Sequence, residues 1–144
     1  MIVIRNLDEL SFLDAHSTTL GFVPTMGALH EGHLSLIKQA KTQCDRVVAS
    51  IFVNPTQFGK NEDFDRYPRT ENEDITLLNQ AGCDAVFLPT PLMIYPNGLT
   101  HTTQIMVPNL ENKLCGKSRP GHFKGVCMVV NRLLNLIKPT HLFL

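Results

Sequence analysis

Phe22–His33, read as F-V-P-T-M-G-A-L-H-E-G-H, decides how the rest of the chain is understood. A short apolar run breaks at Pro24, passes a glycine turn and ends in His30 and His33, three residues apart. Behind it, His33, Leu36, Ile37, Ala40 and Cys44 recur at i, i+3, i+4, i+7 and i+11, which is one face of a helix. A strand that feeds a tight loop and then a helix start gathers backbone N–H groups at the positive end of the helix dipole, a setting suited to an anion. The stretch therefore predicts a nucleotide-phosphate site, with Gly27 and Gly32 bracketing the turn.

Working outward, Thr19–Val23 reads as the strand before this loop and Gly32–Gln43 as the helix after it. Arg46–Val53 is almost continuously apolar and β-branched, the mark of a strand buried on both faces of a parallel sheet. It stops at Asn54-Pro55, where proline ends ladder pairing. Thr70 with Glu73 has capping-box spacing, Ile75, Leu78 and Ala81 continue a helix, and Gly82 falls where a left-handed cap is expected. Ala85–Leu88 is another short buried strand. Upstream, Ile2–Ile4 is a brief apolar start, and Asn6 with Glu9 opens a short amphipathic helix of Leu7, Leu10, Phe12 and Leu13.

Downstream, Leu92–Thr100 reads as loop, Thr102–Val107 as a strand candidate, Asn109–Cys115 as a short helix and Lys117–Gly121 as a basic loop. Phe123, Val126, Cys127, Val130, Leu133, Leu134 and Ile137 form a wide helical stripe read as core, ended by Pro139. His141–Leu144 begins a further strand. Strands alternating with helices predict an α/β fold: a Rossmann-like, doubly wound, mostly parallel sheet with flanking helices. The chain is expected to be one domain, ending short of the loop that would follow its last strand.

Composition narrows the function. Of 144 residues 43% are hydrophobic, and thirteen basic residues balance thirteen acidic ones, so any anion site must be built locally. With no net charge, no Trp and two Tyr, neither nucleic acid nor an anionic membrane is the expected partner. The start M-I-V-I-R-N-L-D-E-L does not read as a signal peptide, and no uncharged apolar run approaches the roughly 18 residues of a membrane span. Cys44, Cys83, Cys115 and Cys127 are widely spaced without a C-x-x-C pair, so a cytoplasmic protein with reduced thiols is expected.

Taken singly, the two histidines read more readily as an ordinary loop residue and a satisfied, partly buried one than as phosphate donors. His-Glu-Gly-His lacks the spacing of a zinc helix, and no acid or cysteine cluster completes a shell, so no metal ligands are assigned. The motif context adds a resemblance. Phe22–Ile37 is similar to the signature of the pantoate–β-alanine ligase family, and its H-x-G-H to the wider nucleotidylyltransferase and class I aminoacyl-tRNA synthetase superfamily. Ser50–Phe58 (S-I-F-V-N-P-T-Q-F), Tyr67–Thr70 (Y-P-R-T) and Arg119–Val126 (R-P-G-H-F-K-G-V) follow in the family's order, with Val129-Val130 also fitting.

The resemblance runs from about Leu20 to the last residue, and it implies ATP-dependent joining of pantoate to β-alanine through a pantoyl adenylate, with ATP and Mg²⁺. It implies ATP contacts along Met26, Gly27, Ala28, Leu29, His30, Glu31, Gly32 and His33, with His30 and His33 on the phosphates and His33 as proton donor. It implies Asn54 and Gln57 on pantoate, Gln57 also near β-alanine, and Pro24, Thr25, Phe58 and Val130 shaping the pockets. Arg119 and His122 would line the entrance in a supporting role. Two departures stand out: Met128 where relatives commonly carry Thr, and Asn131-Arg132 in place of an apolar–lysine pair.

Relatives continue into a G-E-K-D segment, a serine/arginine loop and a small closing domain, so this chain resembles their N-terminal nucleotide-binding portion and is expected to turn over little alone. A homodimer is a further implication. Another H-x-G-H nucleotidylyltransferase using, for example, CTP, and an inactive nucleotide-binding piece are the alternatives.

Overall fold

The computed structural model describes residues 1–14, 18–59, 64–109, 113 and 118–144. Five strands, β1 (Ile2–Ile4), β2 (Leu20–Thr25), β3 (Arg46–Ile51), β4 (Ala85–Phe87) and β5 (His141–Leu142), form one sheet in the order β1-β4-β3-β2-β5. Every pairing among them is parallel. The helices are α1 (Glu31–Gln43), α2 (Glu71–Gln80), the single turn α3 (Pro91–Ile94) and α4 (His122–Ile137). None of the described helices is long and apolar enough to cross a membrane.

The β3 run explains the layering. Val47 and Ala49 pack with Ile37, Ala40 and Leu78 of α1 and α2 on one face, whereas Val48 packs with Phe22, Met128, Val129 and Leu133 on the other. An unbroken apolar strand is what two covered faces require, and helices duly lie on both sides. The doubly wound reading holds. Strand order runs β2, β3, β4 in one direction and returns to β5 on the far side of β2, which puts the reversal between β2 and β5.

Several local expectations are corrected. β2 continues through Pro24 to Thr25. Phe22 turns its carbonyl to Phe143 beyond β5, and Pro24, two residues on, points to that same side. On that side the ladder with β5 is formed at Gly21 and Phe22, before Pro24 is reached. Ile2–Ile4 proves to be a strand because β4, distant in sequence, pairs with it at Ile2↔Ala85. Thr102–Val107 joins no strand; Met106 is 57% exposed, and the sheet edge on β1 is not extended by it. Leu7–Leu13 is a 3-10 helix, with Leu10 and Leu13 buried but Phe12 exposed. Most of the helix expected over Asn109–Cys115, and Lys117 of the basic loop, lie outside the described residues.

Candidate active site

The loop between β2 and α1 is held from two directions. Thr25 Oγ1 donates to the Ser50 carbonyl at 2.8 Å and accepts from Gly27 N at 3.2 Å. Gly27 adopts φ +80° and Ala28 φ +51°, so the chain turns through two left-handed residues. The groups that close this turn come from α2. Asp74, buried at 2% exposure, accepts from Ala28 N at 3.0 Å and from Leu29 N at 2.8 Å. Thr70 Oγ1 donates to the same carboxylate at 3.1 Å. Thr70 therefore does not cap α2 by a side-chain bond, as its spacing with Glu73 suggests, because its hydroxyl serves Asp74. Sequence reasoning missed Asp74; a carboxylate inside a helix carries no local sign that it will be buried under a distant loop.

At the start of α1 the two histidines cap the helix. His30 is the N-cap, and its Nδ1 accepts from Gly32 N at 3.1 Å. His33 Nδ1 accepts from His30 N at 3.3 Å. An Nδ1 that accepts carries no proton, so each neutral ring holds its hydrogen on Nε2. The ring centroids lie 4.1 Å apart, giving two N–H donors side by side at the positive end of a helix. Partial burial holds the His33 pKa below its ordinary value, His30 adds to this, and Asp74 opposes it. Gly32 belongs to the helix itself, where a Cβ would press on the His30 ring at 2.9 Å.

A cavity of about 250 Å³ opens at the C-terminal ends of the strands, at the reversal, where α/β sheets receive ligands. Pro24, Thr25, Met26, His33, Gln57 and Val130 all line it, as do Tyr67 and Leu144. A neighbouring hollow of about 280 Å³ shares Met26 and adds Gly27, Arg69 and Asp74. Ala28 and Leu29 direct their N–H groups to Asp74, and neither they nor His30, Glu31 or Gly32 line either hollow. The amides of Gly27, Ala28 and Leu29 are thus engaged within the loop, and of the two histidines His33 lines the cavity.

Two other expected contacts stand behind the wall. Asn54 is 0% exposed, and its side chain is engaged by Gln57, Gly125, Thr56 and Tyr95. Phe58 packs edge-on against Tyr67 at 5.8 Å. His122 Nδ1 meets the Gln57 carbonyl at 3.1 Å, and since a carbonyl only accepts, that nitrogen is protonated. Arg119 lies 3.5 Å from His122 Nε2. Arg69 ties the loop carbonyls of Phe64, Asp65 and Tyr67.

The α4 stripe is rotated from the expected one. Met128, Val129, Leu133 and Ile137 are its most buried apolar members, while Val126 and Val130 turn to the cavity. The stripe read as core is therefore partly cavity wall. Gly125 explains the helix's closeness: a Cβ there would collide with the Thr56 carbonyl oxygen.

A fully parallel, doubly wound sheet with an H-x-G-H loop at its reversal defines a Rossmann-like protein of the nucleotidylyltransferase fold. Comparison with known proteins identifies the family. The family model described as Pantoate-beta-alanine ligase matches residues 3–144, and the chain belongs to that family. Pantothenate synthetase of Shewanella amazonensis is 58% identical over 125 residues, covering 87% of this chain and 44% of its own length. That of Pelotomaculum thermopropionicum is 58% identical over 147 residues, covering 99% and 51%.

Among solved structures, pantothenate synthetase from Thermus thermophilus superposes with TM-score 0.90 at 43% identity, covering 99% of this chain and 51% of that one. Pantoate-beta-alanine ligase from Francisella tularensis, complexed with beta-gamma ATP and beta-alanine, gives 0.92 at 44%, covering 99% and 55%. The chain spans about half the length of the relatives it matches.

Proposed function

We propose that this chain supplies the nucleotide-binding portion of a pantothenate synthetase. In that reaction a pantoate carboxylate oxygen attacks the α-phosphorus of ATP and pyrophosphate leaves. The amine of β-alanine then attacks the acyl carbon of the adenylate, and AMP leaves with its bonding electrons. The observation that carries the reading is the convergence of His33, Gln57, Pro24, Thr25 and Val130 on one cavity. A Francisella tularensis relative that binds a beta-gamma ATP ligand and beta-alanine supports the same ligand classes.

Adenylation asks the protein mainly to align the carboxylate and to stabilise charge on the departing pyrophosphate. The paired Nε2–H groups of His30 and His33 suit the second task. We assign His33 as the principal donor, since it alone of the two faces the cavity. Gln57 takes pantoate and lies near β-alanine, and the apolar faces of Pro24 and Val130 shape the pocket around pantoate's methyl groups.

Mg²⁺ would come with ATP. Among the described residues no group of three His, Cys, Asp or Glu side chains meets at one point, and Asp74 already accepts three hydrogen bonds. The donor set of the described residues does not fit a protein cage. We place the protein in the cytoplasm, where the free thiols of Cys44, Cys83 and Cys127 persist, and expect a homodimer by family resemblance.

The test is pyrophosphate release from ATP and pantoate by the intact ligase carrying this sequence. His33→Ala should lower it by about 10²–10³-fold, the usual effect of removing one preorganised donor. Unchanged release, or equal competition by CTP for the ATP site, would overturn the reading.

A further inference from the structure

The orientation of the Asn54 amide is fixed by its neighbours. The Gly125 carbonyl, an acceptor only, lies 3.1 Å from one terminal atom, and Thr56 N, a donor only, lies 3.3 Å from the other. Nitrogen therefore faces Gly125 and oxygen faces Thr56. Tyr95 completes the assignment: its hydroxyl donates to Asn54 Oδ1 at 2.8 Å, and Thr56 Oγ1 donates to the same oxygen at 3.0 Å. Tyr95 is 4% exposed, its ring set 6.5 Å from Phe52 in the core. Burial also keeps the phenol a donor by pushing its pKa up.

The consequence reaches the cavity. Asn54 Nδ2 donates to Gln57 at 3.2 Å, so the Gln57 atom it meets is the carbonyl oxygen. That leaves Gln57 Nε2, which bonds no described residue, on a side chain that lines the cavity. An isolated glutamine amide offers a donor and an acceptor with equal ease, but this one has its acceptor engaged from behind.

We propose that Tyr95 is a positioning residue that acts through Asn54 to fix the orientation of the Gln57 amide, leaving its Nε2 donor for the cavity, so that this point favours a carboxylate or hydroxyl oxygen over an N–H group. Tyr95 touches no ligand in this arrangement; it sets the polarity of a side chain two hydrogen bonds away. The identity of the acceptor as a pantoate oxygen rests on the function proposed above, whereas the polarity of the amide pair does not.

The test is ¹⁵N NMR of side-chain amides on this protein, with Gln57→Glu and Asn54→Asp used for assignment. The Asn54 NH₂ should exchange with water at least about tenfold more slowly than the Gln57 NH₂, because one is buried and bonded and the other is not. Tyr95→Phe keeps the packing and removes only the donor, so it should raise Asn54 exchange at least about tenfold while backbone amide protection elsewhere is kept. A protected Gln57 NH₂, or an Asn54 rate indifferent to Tyr95→Phe, overturns the proposal.

Gln57→Glu provides a second route, since a carboxylate still accepts from Asn54 but offers the cavity no donor. It should weaken pantoate binding by about tenfold or more, with ATP affinity unchanged. Retained pantoate affinity in that variant counts against the proposal. If pantoate fails to shift the wild-type Gln57 NH₂ signal while the exchange pattern is as stated, the pantoate reading falls and the amide polarity stands.

Discussion

Asp74 closes the loop at Leu29, its Oδ1 accepting the Leu29 N–H at 2.8 Å from a helix 45 residues away in sequence. The same carboxylate holds Ala28, whose φ of +51° is one of two left-handed values among the described non-glycine residues. Asp74→Ala leaves two loop amides and the Thr70 hydroxyl without their acceptor. Urea unfolding should show a loss of about 2–4 kcal/mol, the range for breaking a buried hydrogen-bonded network. Asp74→Asn retains one accepting oxygen and should lose less. It should also depress the His33 pKa further, because the Asp74 charge is what raises it. A midpoint unmoved by Asp74→Ala would show that the loop does not depend on this carboxylate.

Gly27 and Gly82 offer a matched pair. Their φ values are +80° and +85°, so alanine meets nearly the same backbone penalty at each, about 1–2 kcal/mol. Their surroundings differ. A Cβ on Gly82 meets nothing within 4 Å, whereas one on Gly27 lies 2.9 Å from Asp74 Oδ2 and 3.1 Å from Ile51 Cγ2. Gly27→Ala should therefore cost more than Gly82→Ala by about 1–3 kcal/mol of crowding, read as the difference in denaturant midpoints. Equal losses would mean that the contact at Asp74 yields freely.

The sequence carried the architecture where the signal was local and repeated. The nearly continuous apolar run of β3, the periodic α1 and the strand–helix alternation sufficed for a parallel doubly wound sheet, because two-faced burial writes itself into most residues of a central strand. Contacts between distant segments left no such trace. Ile2–Ile4 is a strand only by virtue of Ala85–Phe87, and Thr70 abandons its cap only because Asp74 lies under the loop.

Of the cavity lining, His33, Gln57, Pro24, Thr25, Met26 and Val130 were legible through the family resemblance of their motifs, several of which fall just past strand ends, where binding residues collect. Asn54 was legible as a member of that motif but not as a buried strut. Tyr95 was invisible, since its part depends on a core phenol meeting an amide 41 positions away.

The cysteines divide by burial. Cys83 is buried, and burial pushes its thiol up to about 11. Cys44 is also buried, and its pKa is raised chiefly by desolvation. Cys127 is partly exposed on α4. In a Cys115→Ser background, a thiol reagent near pH 8 should label Cys127 at least about tenfold faster than Cys83, which reacts through its scarce thiolate and only on opening. Mass mapping of the labelled protein checks the order. Equal labelling under native conditions would contradict the packing of Cys83 between β3 and β4.

His33 sets the sign of one part of the acid response. Its pKa in the folded chain lies below the ordinary value of about 6.5, with burial as the largest cause and the neighbouring His30 as the second. As pH falls, the unfolded chain takes up this proton first, so acidification favours unfolding. The stability contributed by neutral His33 is thus complete above the unfolded value and is lost as pH falls through the lower folded one. His33→Asn supplies the control, since its carbonyl can still accept the His30 N–H without titrating. Urea unfolding of both proteins from pH 8 to pH 5 should show wild type losing stability relative to the variant across the lower half of that range. The depressed carboxylates Glu9 and Asp45 titrate at lower pH and are common to both proteins. A wild-type advantage that grows on acidification would mean that His33 is protonated more readily in the folded chain, and the helix-capping tautomer assigned to it would then be wrong.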